Sequence, residues 1–287
     1  MGADPISLFA TLAAARARLV AAGIQPDEAA VDVDVYATTI LGWDRATLLQ
    51  NLRQAAPVAL EPQFSQWIGR RERREPTAYI VGSREFWGRP FVVTSAVLIP
   101  RPETEFIIEE ALVHLRTFAV PRIADIGTGS GILAVTLADE VPAARVTATD
   151  LSSDALEVAK QNAERHGVGA RVSFLNTSYL DGVPGTFDLI VTNPPYVRDG
   201  DKPALARDVR HEPEMALFGG PDGLRDVAGV LDAAVEKLMP GGWFVMEFGY
   251  GQEDDIRRLV EARRALRLDR IRNDLQGIAR TAIIQKP

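Results

Sequence analysis

A glycine-rich run flanked by acids is the first part of the chain whose residue types could bind a ligand. It reads Asp125-Ile126-Gly127-Thr128-Gly129-Ser130-Gly131 and lies between a short apolar stretch and a second one with helical spacing. Glycines tolerate positive φ and let a ligand approach the backbone closely. Asp150 follows about 20 residues later, where a carboxylate can accept hydrogen bonds from ribose hydroxyls. Each feature alone also fits a plain turn or a helix cap, but the pair predicts a site for an adenosine-containing cofactor.

The spacing of these glycines discriminates between adenosine cofactors. The run reads Gly-x-Gly-x-Gly, whereas a dinucleotide site more typically reads Gly-x-Gly-x-x-Gly and holds a pyrophosphate at a helix N-terminus. S-adenosylmethionine has no phosphate and carries a cationic sulfonium and an amino-acid head group. An acid beside the glycines, such as Asp125, suits those groups better. The run therefore favours S-adenosylmethionine.

A second distinctive run, Asn193-Pro194-Pro195-Tyr196, directly follows the apolar residues 188–192. Two successive prolines fix φ and remove two N–H donors, so the Asn193 side-chain oxygen and the Pro194 carbonyl can form a rigid pair of acceptors. Such a pair suits a planar –NH2 group, whose nitrogen is then held with its π face towards a methyl donor. Tyr196 is expected to supply an aromatic wall. The alternative interpretation is a rigid turn that only ends a strand.

These motifs and three others carry a family resemblance. Asn-Pro-Pro-Tyr after the fourth strand of a glycine-loop methyltransferase is similar to amino-group methyltransferases in general, including DNA-adenine and RNA-guanine enzymes. Three further runs resemble the HemK/PrmC family: Arg84-Glu85-Phe86-Trp87, Ile99-Pro100-Arg101-Pro102-Glu103-Thr104-Glu105 and Asp208-Val209-Arg210-His211-Glu212-Pro213. Enzymes of this family methylate the side-chain amide of a glutamine in peptide-chain release factors. The resemblance extends from about residue 70 to the C-terminus.

The resemblance implies roles for particular residues. Residues 127–131 would line the S-adenosylmethionine pocket, which Asn193 also borders, and Asp150 would bind the ribose. Tyr179 stands where the family usually has a tryptophan beside the adenine, a departure that keeps an aromatic face. Residues 193–196 would hold the glutamine of the release factor's Gly-Gly-Gln motif, with the first two as the catalytic acceptors. No metal ion is implied.

The elements that must position these residues follow from hydrophobic patterning. Alternating apolar runs predict helices between strands at residues 123–126, 146–149, 172–175, 188–192, 243–248, 267–272 and 281–285. Such alternation predicts a parallel, doubly wound α/β sheet, and the resemblance implies a Rossmann-like seven-stranded class I methyltransferase domain. The carboxyl ends of the strands would bring both motifs and Asp150 to one crevice.

Three domains are predicted. Residues 1–75 form a helical substrate-recognition domain, residues 76–105 a β-hairpin linker that includes the β-rich run Tyr79-Ile80-Val81, and residues 106–287 the methyltransferase domain. The charged residues 70–75 interleave arginines with glutamates, so they are predicted to be a solvated helix end rather than a nucleic-acid patch.

The proline-rich residues 99–105 are predicted to be extended. Thr104 or Glu103 is predicted to begin the next helix, and Arg101 and Glu103 are expected to anchor the segment through salt bridges.

Composition excludes several functional classes. The 287 residues are 46% hydrophobic and contain no cysteine, which excludes disulfides and thiolate chemistry. The formal charge of −7 argues against a dedicated nucleic-acid binder. The three histidines lie far apart, and no apolar run is long enough to cross a membrane.

Together these features predict a soluble, cytoplasmic, monomeric enzyme whose partners are release factors. Two alternatives stay open: a nucleic-acid amino-group methyltransferase, which would need a basic groove, and a non-catalytic interaction protein on a decayed methyltransferase fold.

Overall fold

The computed structural model describes residues 6–287, which divide into two compact units. The smaller unit contains the described residues up to Gly82 and the short segment Arg207–His211, and the larger contains Ser83–Ala206 and Glu212–Pro287. The chain therefore leaves the larger unit once and returns to it. No helix within residues 6–287 is both long and apolar enough to span a membrane.

The smaller unit is a bundle of helices around one apolar core. Tyr36 and Trp67 meet edge to face in that core with ring centroids 5.5 Å apart, and Leu12 and Leu19 pack with them. Asp44 caps one helix by accepting a hydrogen bond from the backbone N–H of Thr47 at 2.7 Å. The helices are α1 (Leu8–Ala21), α2 (Pro26–Leu41), α3 (Arg45–Gln50), α4 (Gln63–Glu72) and α5 (Thr77–Val81).

Arg71, within the charged run at the end of α4, is buried, and the prediction of a solvated helix end is wrong for this residue. Its guanidinium donates to Asp32 at 2.6 Å and to Asp208 at 2.7 Å, and it also pairs with Glu28. Asp208 lies in the segment that returns to the smaller unit. Sequence patterning missed this because two of the three carboxylates come from one other helix, α2, and the third from a distant loop.

The run Tyr79-Ile80-Val81 is helical rather than β-rich, which corrects the first part of the predicted hairpin linker. Pro76 is the N-cap residue of this short helix α5, and Gly82 ends the helix with φ of 78°. Tyr79 and Ile80 are buried, and Ile80 belongs to the apolar core of the smaller unit. The hairpin itself is present beyond it, where β1 (Ser83–Phe86) pairs with β2 (Arg89–Val92).

The larger unit is built on a seven-stranded sheet with the order β5-β4-β3-β6-β7-β9-β8, which confirms the Rossmann-like prediction. Strand β9 runs antiparallel to both neighbours, so the expectation of an all-parallel sheet is wrong there. A tight turn rather than a helix joins β8 to β9, and a direct turn pairs strands antiparallel. The strands are β3 (Arg122–Ile126), β4 (Arg145–Asp150), β5 (Val172–Asn176), β6 (Phe187–Thr192), β7 (Leu238–Glu247), β8 (Arg267–Asn273) and β9 (Ala279–Gln285).

Helices cover both faces of the sheet. Alternate strand residues point to opposite sides, so Ile123 and Val245 pack into one apolar layer and Ala124 and Phe244 into the other. The helices are α6 (Glu105–Leu115), α7 (Ile132–Glu140), α8 (Ser153–Arg165), α9 (Glu214–Leu217), α10 (Arg225–Lys237) and α11 (Glu253–Glu261). Because the strand order reverses between β3 and β6, a crevice opens at the carboxyl ends of these strands.

The buried charges around Arg71 predict a large effect on stability. Arg71→Met leaves Asp32 buried without its cation, and we expect the free energy of unfolding to fall by about 3–5 kcal/mol. Arg18→Met, which removes an exposed partner of Glu72, is the matched control and should cost less than about 1 kcal/mol. Urea denaturation of the whole chain measures both, and equal losses in the two variants would contradict the burial argument.

Candidate functional site

The glycine loop, residues 127–131, leaves the end of β3 and enters α7 at the crevice. Gly127 and Gly129 have φ of 68° and 55°, a region that glycine adopts without strain. A Cβ built on either would meet no atom within 4 Å, so this side of the loop is open. A Cβ on Gly131 would instead lie 3.2 Å from Ala159 Cα, because α7 and α8 pack closely there. Gly131 thus serves helix packing and does not line the cavity described below.

Asp125 braces the glycine loop from beneath. Its Oδ2 accepts hydrogen bonds from Thr128 Oγ1 at 2.6 Å and from the backbone N–H of Ala134 at 3.0 Å. Its side chain is fully buried, and this burial raises the pKa of Asp125 to about 7. Oδ1 has no hydrogen-bond partner among the residues that the structure describes. Since Asp125 does not line the cavity, its position suits loop support better than the direct ligand contact suggested by its sequence position.

Asp150 holds the same loop from the side that faces the cavity. Its Oδ2 accepts from the backbone N–H of Gly129 and its Oδ1 from that of Ser152, both at 2.9 Å. Burial raises the pKa of Asp150, and these backbone donors oppose that effect. Each carboxylate oxygen retains a second lone pair. The side chain can therefore accept two further hydrogen bonds, as a pair of neighbouring hydroxyls would require.

Tyr179 forms one wall of the cavity, and three residues hold it in place: Thr149, Asp226 and Gly229. Its φ is 46°, its carbonyl accepts from Thr149 Oγ1 at 2.6 Å, and its hydroxyl donates to Asp226 Oδ1 at 3.0 Å. Burial, reinforced by Asp226, raises the pKa of Tyr179 to about 12. The ring lies directly on α10, where a Cβ at Gly229 would come within 2.3 Å of it. The aromatic face is therefore fixed in place.

The Asn-Pro-Pro-Tyr segment, residues 193–196, follows β6 at the opposite side of the crevice. Asn193 Nδ2 donates to Thr104 Oγ1 at 3.1 Å, and Thr104 in turn donates to Glu247 Oε2 at 2.7 Å. The Tyr196 hydroxyl donates to Glu247 Oε1 at 3.0 Å. Glu247 is buried at the end of β7, and its burial raises the pKa of this carboxyl group. Thr104 directly precedes α6, but its hydroxyl does not cap the helix. It ends a 3-10 turn over Pro102–Thr104, so the prediction of an extended segment is wrong for these three residues.

One cavity in the larger unit brings most of these residues together. It is lined by Gly127, Thr128, Gly129, Ser130, Asp150, Tyr179, Asn193, Pro194 and Pro195 among others. Tyr196 is absent from its lining, and its role as an aromatic wall stays a prediction. The cavity therefore joins the open side of the glycine loop to the start of the Asn-Pro-Pro-Tyr segment.

The proline-rich residues 99–105 and the short helix α9 supply the remaining side of the cavity. Arg101 makes the predicted kind of salt bridge, to Glu212 at 2.6 Å. Glu212 also accepts from the backbone N–H of Ile99 at 3.1 Å. Two runs that are far apart in sequence are thereby joined at one buried carboxylate. No group of three or more acidic or histidine side chains within residues 6–287 is arranged to hold a metal ion.

Sequence reasoning missed three acids that organise the site, namely Glu212, Asp226 and Glu247. Of the three, Glu247 could most easily have been found from the sequence, because it is the one acid in the apolar run 243–248. An unpaired acid in a buried strand needs a polar partner. Nothing in the sequence identifies that partner as Thr104, which lies 143 positions away.

Comparisons with known proteins agree on one family. Residues 10–82 match the family model of the PrmC N-terminal domain, and residues 106–219 match that of the methyltransferase small domain. The chain is 41% identical to the release factor glutamine methyltransferase of Bradyrhizobium diazoefficiens, over 91% of this chain and 90% of that protein. It is 42% identical to the protein of the same name from Bordetella pertussis, over 87% of this chain and 92% of that protein.

A solved structure supports the fold alone. The crystal structure of a methyltransferase from Pyrococcus furiosus is similar with a TM-score of 0.50 and 23% sequence identity. The match covers 69% of this chain and 89% of that one.

The raised pKa of Asp125 predicts a pH dependence of stability. An aspartate in the unfolded chain has a pKa of about 3.9, and the folded value is about 7, so the folded chain binds more protons between these values. The contribution of Asp125 to the free energy of unfolding should then fall as pH rises from about 4 to about 7, by at most about 1.4 kcal/mol per pH unit.

Asp125→Asn removes this titration while keeping the shape of the side chain. In urea denaturation, the variant should gain stability relative to the wild-type chain as pH rises through that window. Other carboxyl groups cancel in the difference between the two proteins. A difference that stays constant from about pH 4 to about pH 7 would contradict the raised pKa.

Proposed function

We propose, since this chain belongs to the release factor glutamine methyltransferase family, that it transfers a methyl group from S-adenosylmethionine to a glutamine of peptide-chain release factors. The acceptor is the side-chain amide nitrogen of the glutamine in the Gly-Gly-Gln motif. The observation that carries the proposal is the cavity that joins the open glycine loop and Asp150 to Asn193 and Pro194.

The residues around the glycine loop fit S-adenosylmethionine. Gly127 and Gly129 leave room for a ligand against the backbone, Asp150 has free lone pairs for ribose hydroxyls, and Tyr179 offers a fixed aromatic face for a base. When bound, S-adenosylmethionine supplies a methyl group made electrophilic by the sulfonium. Asp150 orients the ligand through charge-assisted hydrogen bonds, and Tyr179 excludes water from one side of it.

Asn193 and Pro194 suit the glutamine amide. Asn193 Oδ1 can accept one N–H of the amide and the Pro194 carbonyl the other, and Pro195 contributes no competing N–H. The amide nitrogen becomes more positive as its lone pair forms a bond to carbon. Both acceptors therefore bind the transition state more strongly than the ground state, which is how such groups raise the rate.

Alignment of the reacting atoms is the second contribution to rate. The rigid prolines hold the amide nitrogen in one orientation relative to the glycine loop, so orientation is set before reaction. We assign no general base. The excess proton leaves the nitrogen after transfer, to water or through the accepting oxygens.

Selectivity for a release factor must come from surfaces outside the glutamine pocket, because many proteins expose glutamines. We assign part of this recognition to the helical N-terminal residues, which we describe as a substrate-recognition domain. Residues 1–75 contain eight basic and nine acidic side chains. This near balance suits a protein partner better than a phosphate backbone.

The test of the function is transfer from labelled S-adenosylmethionine by the full-length chain. Intact release factor, ribosomal RNA and DNA are offered separately, and labelling is expected on the release-factor glutamine, with weak dependence on salt. A release factor with Gln replaced by Ala in its Gly-Gly-Gln motif is the matched control. Labelling of nucleic acid without labelling of release factor would establish the alternative nucleic-acid activity instead.

Removal of the Asp150 carboxylate, which we propose accepts hydrogen bonds from the ribose hydroxyls, should weaken cofactor binding. Asp150→Ala loses charge-assisted hydrogen bonds worth about 1.5–3 kcal/mol, so affinity for S-adenosylmethionine should fall at least about tenfold. Calorimetry measures the affinity. Asp154→Ala, which removes a nearby exposed acid, is the control and should bind like the wild-type chain. Equal affinity in both variants would remove Asp150 from the site.

Removal of the amide acceptor should slow transfer without releasing the cofactor. Asn193→Ala deletes one oriented acceptor, so turnover should fall about 100-fold or more, while S-adenosylmethionine affinity changes much less. Asn273→Ala, at an exposed position on β8, is the control. A normal rate in Asn193→Ala would refute the proposed catalytic role.

A further inference from the structure

Both ends of the Asn-Pro-Pro-Tyr segment are connected to the same buried carboxylate. Tyr196 donates to Glu247 directly, and Asn193 reaches Glu247 through the hydroxyl of Thr104. Thr104 and Glu247 are 0% and 2% exposed, so water does not compete for these hydrogen bonds. Neither residue has a role in the proposed transfer of the methyl group.

The direction of each hydrogen bond in this network follows from the ionised form of Glu247. An ionised carboxylate only accepts, so in this form the single hydroxyl hydrogen of Thr104 points to Glu247. Thr104 Oγ1 can then only accept from Asn193, which must present its Nδ2 there. The other end of the planar amide, Oδ1, is consequently directed away from Thr104. An isolated asparagine would have no such preference between its two ends.

We propose that Thr104 and Glu247 are positioning residues that orient the Asn193 amide so that its oxygen, and not its nitrogen, faces the substrate. This inference rests on the proposed function. A flipped Asn193 would present two N–H donors to the N–H donors of the glutamine amide. In the first orientation Asn193 presents an acceptor that stabilises the transition state. In the flipped orientation it would present donors that repel the substrate.

The composition of the network favours a specific role over simple packing. A buried carboxylate has a large desolvation penalty, and none of the salt bridges among residues 6–287 involves Glu247. An apolar residue at the end of β7 would fill the same space without that penalty. The ionised acid instead supplies two oxygens that only accept hydrogen bonds, which is the property that orienting Asn193 requires.

The first test is Thr104→Val, which keeps the shape of the side chain and removes its hydroxyl. Turnover on release factor should fall about tenfold or more, while KM for release factor and affinity for S-adenosylmethionine change less than about twofold. Thr104→Ser keeps the hydroxyl and should restore most of the turnover. Thr136→Val is the matched control, because Thr136 is fully buried and its hydroxyl has no partner within the described residues. Wild-type turnover in Thr104→Val would overturn the proposal.

A double-mutant cycle tests whether Thr104 acts through Asn193. If it does, Thr104→Val should cause no further loss of turnover in an Asn193→Ala background, because no amide remains to be oriented. Additive losses would show an independent effect of Thr104 and would overturn the proposal.

A readout without catalysis separates this proposal from the proposed function. The side-chain NH2 resonances of Asn193 can be assigned by NMR from their loss in Asn193→Ala. Thr104→Val and Glu247→Gln should each shift these resonances, whereas Thr136→Val should not. Unshifted resonances in Thr104→Val would refute the positioning role even if release factor is methylated. Conversely, shifted resonances in a chain that leaves release factor unlabelled would support the network and refute the function.

Discussion

The buried carboxylate of Glu247 joins three chain segments that meet at one end of the cavity. It lies at the end of β7 and accepts from Thr104, which precedes α6, and from Tyr196, which follows β6. The two prolines between Asn193 and Tyr196 have no backbone N–H and cannot donate hydrogen bonds to neighbouring backbone. Side-chain hydrogen bonds hold the segment at its two ends. Asn193 reaches Glu247 through Thr104, Tyr196 donates to Glu247 directly, and the Tyr196 carbonyl accepts from Gln252 Nε2 at 3.2 Å.

Two aspartates support the glycine loop, on the opposite side of the cavity, in different ways. Asp125 is enclosed beneath the glycine loop and accepts hydrogen bonds from the Thr128 hydroxyl and the Ala134 backbone N–H. Asp150 also supports the loop, through Gly129, but it borders the cavity and retains lone pairs for a ligand. The same residue type is therefore an enclosed brace in one place and borders the cavity in the other, and its position in the sheet decides which.

Much of this architecture is readable from the sequence, because it depends on local pattern. The glycine loop, the acid at the end of β4 and the proline pair after β6 are each contiguous motifs at strand ends, and strand order brings such ends together. The cap of α8 is equally local, because the Ser152 side chain accepts from the backbone N–H of Ala155, three residues further on.

The features that sequence reasoning missed depend on residues far apart in the chain. The burial of Arg71 requires carboxylates from two other segments, and the partner of Glu247 is set by the three-dimensional meeting of β7 with the start of α6. Residues 79–81 were misassigned because a short apolar run fits a strand or a buried helix equally well. The reversal of β9 was missed because periodicity does not report strand direction. Hydrophobic pattern specifies elements, whereas long-range polar pairing emerges only when the elements assemble.

The ion cluster of Arg71 has a consequence for the order of folding during synthesis. Asp32 and Glu28 leave the ribosome before Arg71 does, but Asp208 follows it by 137 residues. N-terminal units generally fold first as the chain emerges. Here the N-terminal helices can pack early, but Asp208, the third carboxylate that pairs with Arg71, is translated only after most strands of the seven-stranded sheet. The final consolidation of the helical unit is therefore tied to the appearance of the very segment that follows Asn193.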